Sequence, residues 1–131
     1  MMMIPVEIKS SPIHGHGIFA TRRVPRETVL WQFTPGLDHL ISDYALEYSE
    51  PRIRDFVRAR GYINPENRTS WVIPGDEAQF WNFPPNGAQA NCKMGGLQDG
   101  EHLVLAARDI EAGEELFIPP ESDFDYDRKM G

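Results

Sequence analysis

Apolar and polar residues alternate along Val6-Glu7-Ile8-Lys9, a period-two pattern that predicts a short strand closed by Ser11-Pro12. The run Thr28-Val29-Leu30-Trp31-Gln32-Phe33 holds the best concentration of β-branched and aromatic residues in the chain. It predicts a second strand, with Val29, Trp31 and Phe33 sharing one face and Pro35-Gly36 as the turn that ends it. Further strands are predicted at Trp71-Val72-Ile73 before Pro74-Gly75, at Leu103 to Ala107, and at Leu116-Phe117-Ile118, which Pro119-Pro120 stops. Between these, the period changes. Ser49-Glu50-Pro51 supplies a capping residue, an acidic first turn and an early proline, and Ile53, Phe56 and Val57 recur at helical spacing until Gly61. One short amphipathic helix is predicted, with Arg52, Arg54, Arg58 and Arg60 on its solvated face. The chain is therefore mainly β with a short helical insert over residues 37–76, and it contains no internal repeat.

The stretch Phe80-Trp81-Asn82-Phe83, continuing through Pro84, Pro85 and Asn86 to Asn91-Cys92, reads as a short strand that runs into a shaped turn. An amide in that position can hold a ligand or staple a loop. His14-Gly15-His16-Gly17 is a second polar punctuation. Two glycines two apart let the backbone turn tightly and approach something closely, and the histidines that alternate with them can face solvent or a ligand. The third glycine of a dinucleotide fingerprint is missing, and no Cys/His spacing supports a metal site, so no metal is expected.

Length and charge narrow the function. A chain of 131 residues is expected to form one domain and to bury roughly two-thirds of its unfolded surface. No apolar run approaches the roughly 18 residues of a membrane span. The formal charge of -7 argues against direct nucleic-acid binding, which needs clustered cations, and suits a basic partner as well as it suits simple solubility. Met1 to Glu7 lacks a basic segment followed by a long apolar one, and the single Cys92 permits no internal disulfide. A cytoplasmic protein with a plain thiol is the expectation.

Taken together, Gly15-His16-Gly17-Ile18-Phe19-Ala20, Phe80-Trp81-Asn82 with Asn91-Cys92, and Ala107-Arg108-Asp109-Ile110 with Gly113-Glu114-Glu115-Leu116 resemble the successive motifs of the SET domain. The family versions read Gly-x-Gly-x-Phe-Ala, Phe-Ile-Asn-His-Ser-Cys with Pro-Asn-Cys, and Ala-x-Arg-Asp-Ile with Gly-Glu-Glu-Leu. The order is the same, and residues 37–76 fall where the family carries a variable insert. The resemblance implies a β-clip of several small sheets with a knot-like crossing of the Asn82 stretch and the last strand. It implies S-adenosylmethionine as cofactor and methyl transfer to a lysine of a basic protein or peptide. Carried over residue by residue, His14, Gly15, His16 and Gly17, the amide of Asn82 and the main chain of Phe83 hold the cofactor, while Phe33 and Trp81 stand near the lysine channel.

The sequence also departs from that family. Where its motif ends in Asp-Tyr, with the tyrosine hydroxyl lining the transfer site, this chain has Pro119-Pro120, and the next Asp-Tyr is Asp125-Tyr126 in the acidic tail 119–131. Phe83 replaces the histidine after the motif asparagine, and no cysteine cluster follows the domain. Three readings follow. One is an active methyltransferase, slow for want of the usual hydroxyl, with Tyr126 or one of Tyr44, Tyr48 and Tyr62 as the substitute. Another is a relative that binds cofactor or a protein without turnover. The third is a β-clip interaction protein with no cofactor. An open cleft implies a cover, either Phe124 and Tyr126 or a second subunit in a homodimer.

Overall fold

The alternating N-terminal run forms a hairpin in the computed structural model, which describes residues 1–130. Strand β1 (Val6–Ser10) pairs antiparallel with β2 (His16–Ala20), placing Ile8 opposite Ile18 and Lys9 opposite Gly17. The other edge of β2 is also occupied. Leu116 N–H donates to Ile18 O at 2.8 Å, Ala20 N–H to Glu114 O at 2.9 Å, and Gly113 N–H to Ala20 O at 2.8 Å. Strand β3 (Val29–Trp31) joins a second sheet whose later members are β7 (Cys92–Gln98) and β8 (Glu101–Ala106), in the order β3-β8-β7. The insert supplies a third sheet, ordered β4-β6-β5, from β4 (His39–Ser42), β5 (Tyr62–Ile63) and β6 (Ser70–Ile73). Every pairing between these strands is antiparallel.

Two helices connect β4 to β5, where one was expected. In α1 (Asp43–Glu47) the Ser42 hydroxyl accepts from Ala45 N–H at 3.0 Å, an ordinary N-cap. In α2 (Pro51–Arg60) proline opens the helix, but the predicted cap Ser49 instead donates its hydroxyl to Ala45 O at 2.9 Å, and Glu50 stands at the N-cap position without a side-chain cap hydrogen bond. The predicted apolar stripe is mostly unburied: Ile53 is 46% and Phe56 51% exposed, and Val57 alone on α2 is buried. The reason is thickness. The helix covers only a small cluster of Leu46, Val57, Ile63 and Trp71, too narrow to receive a full stripe.

That cluster and the main core share β6. Successive side chains on a strand face opposite ways, so Trp71 packs with the insert while Val72 joins Ile18, Leu30, Trp31, Ile110 and Leu116. Among the described residues no helix is long and apolar enough to cross a membrane.

The expected strand at Phe80–Phe83 is a correction. Residues Glu77–Phe80 form a 3-10 turn, started by Asp76 Oδ1 accepting from Ala78 N–H at 3.1 Å, and Asn82 makes a single parallel bridge to Phe117. Strand β7, not expected from its glycines and polar residues, forms because β8 offers it an edge. The bridge at Asn82 belongs to the crossing. Ile118 N–H donates to Asn82 O at 3.1 Å, while the preceding residue's groups turn the other way: Phe117 N–H donates to Asn91 Oδ1 at 2.8 Å and Phe117 O accepts from Cys92 N–H at 3.2 Å. Alternate backbone groups of an extended segment point to opposite edges. Residues 115–118 therefore run between Asn82 and Asn91-Cys92, the two ends of one loop.

After Pro119 the chain makes a second 3-10 turn, Pro120–Ser122, and a short helix α3 (Tyr126–Met130). The acidic tail is thus tied down rather than trailing: Asp123 Oδ1 accepts from Ile63 N–H at 3.0 Å, and Phe124 N–H donates to Ile63 O at 2.8 Å.

Candidate functional site

The crossing places Asn82 against the Gly-x-Gly loop. Its Nδ2 lies 3.1 Å from His14 O, 3.0 Å from His16 O and 2.8 Å from Glu115 Oε2. Three acceptors around one atom identify it as the amide nitrogen, and they exceed its two hydrogens, so this NH2 is fully committed to protein. Its Oδ1 accepts no hydrogen bond among the described residues. Glu115, itself buried, uses its other oxygen to accept from the Ser11 hydroxyl at 2.7 Å, and Ser11 Oγ accepts from Ile13 N–H at 3.0 Å. Loop, asparagine and glutamate thus form one polar unit at the crossing. Glycine at position 17 follows from it: a Cβ there would lie 2.2 Å from Glu115 Oε2 and 3.2 Å from Asn82 Nδ2. Gly15 sits at φ +47°, the left-handed region that favours glycine.

One residue earlier in the chain, Trp81 lines an apolar cavity together with Trp31, Tyr62, Val104 and Ile118. Trp31 and Tyr62 meet edge to face at 6.2 Å. Burial, with the charges of Glu101, Asp38 and Asp123 nearby, pushes the Tyr62 phenol well above its ordinary value and keeps it protonated. Three of the wall residues carry buried polar atoms without hydrogen-bond partners: Trp31 Nε1, Ser122 Oγ and His102 Nε2. The His102 ring is held between Gly95 O, 3.0 Å from Nδ1, and Glu66 Oε1, 3.5 Å from Nε2. Native structures leave few such atoms unpaired, and a concentration of them around one cavity marks it as a place where a polar guest fits.

The residues named from sequence divide between these two places and a third. His14 and Gly15 form the loop, and His16 and Gly17 begin β2. Asn82 joins them through its amide, whereas the expected free amide for a ligand is reduced to the oxygen. Trp81 is in the cavity wall, and Phe33 lies in the main core and is not among the wall residues. Phe83 and Tyr126 pack edge to face at 4.7 Å, so Tyr126 covers Phe83 and is likewise absent from the wall. Tyr44 and Tyr48 are exposed and contact each other at 4.9 Å. Tyr62 is the tyrosine in the cavity wall. Phe124 is largely exposed, with the Arg68 guanidinium 4.3 Å over its ring.

Ser122, His102 and Trp31 were not foreseen as site residues. Nothing local distinguishes a serine after two prolines, and its placement depends on the 3-10 turn that those prolines start. Cys92 is buried, and burial pushes its thiol up, out of the reactive range. Among the described residues no group of three or more His, Cys, Asp or Glu is arranged to hold a metal ion.

A donor-acceptor test bears on the implied cofactor. S-adenosylmethionine carries amino donors and an adenine ring. The open Oδ1 of Asn82 suits a donor, and the Phe83–Tyr126 pair offers aromatic surface one residue away. These residues fit the group.

Compared with known families, the sequence matches the SET domain model over residues 15–119, ending at the first proline of the Pro-Pro pair. No curated protein matches it by sequence. Among solved structures, Polycomb Repressive Complex 2 of Chaetomium thermophilum bound to GSK126 has a chain that is 23% identical at a TM-score of 0.68, covering 97% of this chain and 17% of that one. A candidate histone methyltransferase of Plasmodium falciparum is 14% identical at 0.57, covering 88% of this chain and 96% of that one. The unliganded Chaetomium thermophilum complex with two substitutions in its Ezh2 subunit is 22% identical at 0.68, covering 96% and 16%. The chain therefore spans about one-sixth of the Polycomb chains it resembles and nearly all of the Plasmodium one.

Proposed function

The chain belongs to the SET domain family, and on that premise we propose that it transfers a methyl group from S-adenosylmethionine to the side-chain amine of a lysine in a basic protein or peptide. One observation carries this reading. Adjacent residues serve two different places: Asn82 is built into the Gly-x-Gly unit, and Trp81 into the wall of the apolar cavity. A two-substrate transfer needs its sites within a bond or two of each other, and neighbouring Cα atoms are about 3.8 Å apart.

On this reading the cofactor is held by Asn82 Oδ1 beside the Gly-x-Gly loop, with Phe83 and Tyr126 as aromatic cover. When bound it supplies a methyl carbon on sulfonium, which the amine lone pair takes as the carbon–sulfur electrons stay on sulfur. The protein's own part is to prepare the amine. Trp31 and Trp81 exclude water and hold the lysine stem, and the apolar wall favours the neutral amine over the ammonium, which releases its proton to water. Tyr62, kept protonated, contributes the phenol that Pro119-Pro120 cannot. The formal charge of -7 favours encounter with a basic partner.

The alternative of a binding module without turnover is favoured by the same Pro119-Pro120 pair. Calorimetric titration with S-adenosylmethionine and its demethylated product, followed by a labelled-methyl assay on basic proteins, separates the readings. Binding with labelled lysine supports transfer, binding alone supports the module, and a folded protein that binds neither compound at millimolar concentration sinks both.

A further inference from the structure

We infer that Ser122 holds the acceptor nitrogen in the cavity, as a second hydroxyl in the wall that also carries the Tyr62 phenol. The inference rests on the proposed transfer for its chemistry and on the structure for its residue.

Ser122 is 9% exposed, its Oγ has no hydrogen-bond partner, and it lines the same cavity as Trp31, Tyr62 and Trp81. A hydroxyl left unpaired against apolar walls is costly, so this one calls for a partner that the protein itself does not supply. Trp31 Nε1–H, also unpaired, faces the same problem in the same wall. A guest that gives a hydrogen to the Ser122 oxygen pairs it, and a primary amine at the end of an alkyl chain does so with a stem that matches the aromatic lining.

The backbone under Ser122 is fixed from both sides. Ser122 N–H donates to Pro119 O at 3.0 Å and Asp123 N–H to Pro120 O at 3.3 Å, closing the 3-10 turn. Asp123 is then locked by Ile63 N–H at 3.0 Å, by Asp125 N–H at 2.9 Å and by the Lys129 ammonium at 2.5 Å. A short side chain on so constrained a backbone has little freedom to lose when it binds, which is the condition for a preorganised contact. As an acceptor from an amine N–H, the hydroxyl leaves the nitrogen lone pair free.

The probe is n-butylammonium, titrated into the protein without cofactor and followed by tryptophan emission, since Trp31 and Trp81 are in the wall. Saturable binding at millimolar concentration is expected, about tenfold weaker in Ser122→Ala and restored in Ser122→Thr, the size of one charge-assisted hydrogen bond. Thermal melts give a second readout, because deleting an unpaired hydroxyl leaves the melting temperature unchanged or raises it. In a turnover assay Ser122→Ala is expected to lower kcat more than it raises KM. Equal amine affinity in wild type and Ser122→Ala, or no saturable binding by wild type, overturns the inference. The two readings fail separately. Ser122-dependent amine binding without any cofactor binding keeps the inference and removes the transfer reaction, whereas lysine methylation indifferent to Ser122→Ala keeps the reaction and removes the inference.

Discussion

Asn82 and Glu115 share a side-chain hydrogen bond of 2.8 Å at the point where the chain crosses itself. The asparagine there staples two carbonyls and a carboxylate. Its loss leaves all three short of a donor, and the expected cost in Asn82→Ala is about 1–3 kcal/mol of stability, measured by denaturant titration. Asn82→Asp should cost more, because it sets a second carboxylate against Glu115. A variant as stable as wild type would show that the asparagine serves a ligand alone.

Gly17 is a steric requirement of the same unit. A Cβ 2.2 Å from the Glu115 carboxylate forces that group, and with it Asn82 and Ser11, to move. Gly17→Ala is expected to destabilise by roughly 1–3 kcal/mol, as overpacking does. Gly96→Ala is the control: it has nothing within 4 Å of its Cβ and should be nearly neutral. Equal melting temperatures for the two variants would contradict the packing.

Much of this was legible in the sequence because the motifs state backbone requirements. Gly17 announces a close approach, and Glu115 is what it approaches, while Gly15 supplies a left-handed turn. What was not legible depended on distant partners. Phe80-Trp81-Asn82 has strand-like residues but meets its neighbour at only one bridge, at Asn82, and Phe80 belongs instead to the 3-10 turn Glu77–Phe80. The helical spacing of Ile53 and Phe56 was real, yet periodicity carries no information about how much surface waits on the other side. Strand β7 contains Gly95-Gly96 and owes its form to β8. The amide of Asn82 was read as ligand-facing, and counting its acceptors needed coordinates.

Glu101 gives a pH test. It is buried, and desolvation, only partly offset by the Asn64 amide at 3.0 Å, raises its carboxyl above the ordinary 4.5. A carboxyl whose folded value is raised binds its proton more readily folded than unfolded, so wild-type stability falls as pH rises between the unfolded and folded values. Glu101→Gln keeps a carbonyl for Asn64 and removes the charge. It is expected to be more stable than wild type at neutral pH, with the advantage shrinking as pH falls through the folded value and gone below about 4.5. Denaturant midpoints measured at several pH values check this, and an advantage independent of pH would assign it to something other than the charge.

The last prediction concerns which tyrosine matters for rate. Tyr62 lines the cavity with Trp31 and Trp81, while Tyr126 packs edge to face on Phe83. A hydroxyl acts on the amine only from within reach of it, so Tyr62→Phe should lower kcat without a matching change in cofactor affinity. Removal of one preorganised hydrogen-bonding group from an active site typically costs about 10²- to 10³-fold. Tyr126→Phe keeps the ring on Phe83 and should be nearly silent, whereas Tyr126→Ala uncovers that ring and should weaken cofactor binding while leaving the amine site intact. Calorimetry with S-adenosylmethionine and a labelled-methyl assay, run on all three variants, separate these effects. A silent Tyr62→Phe beside a slow Tyr126→Phe would move the chemistry from the cavity to the tail.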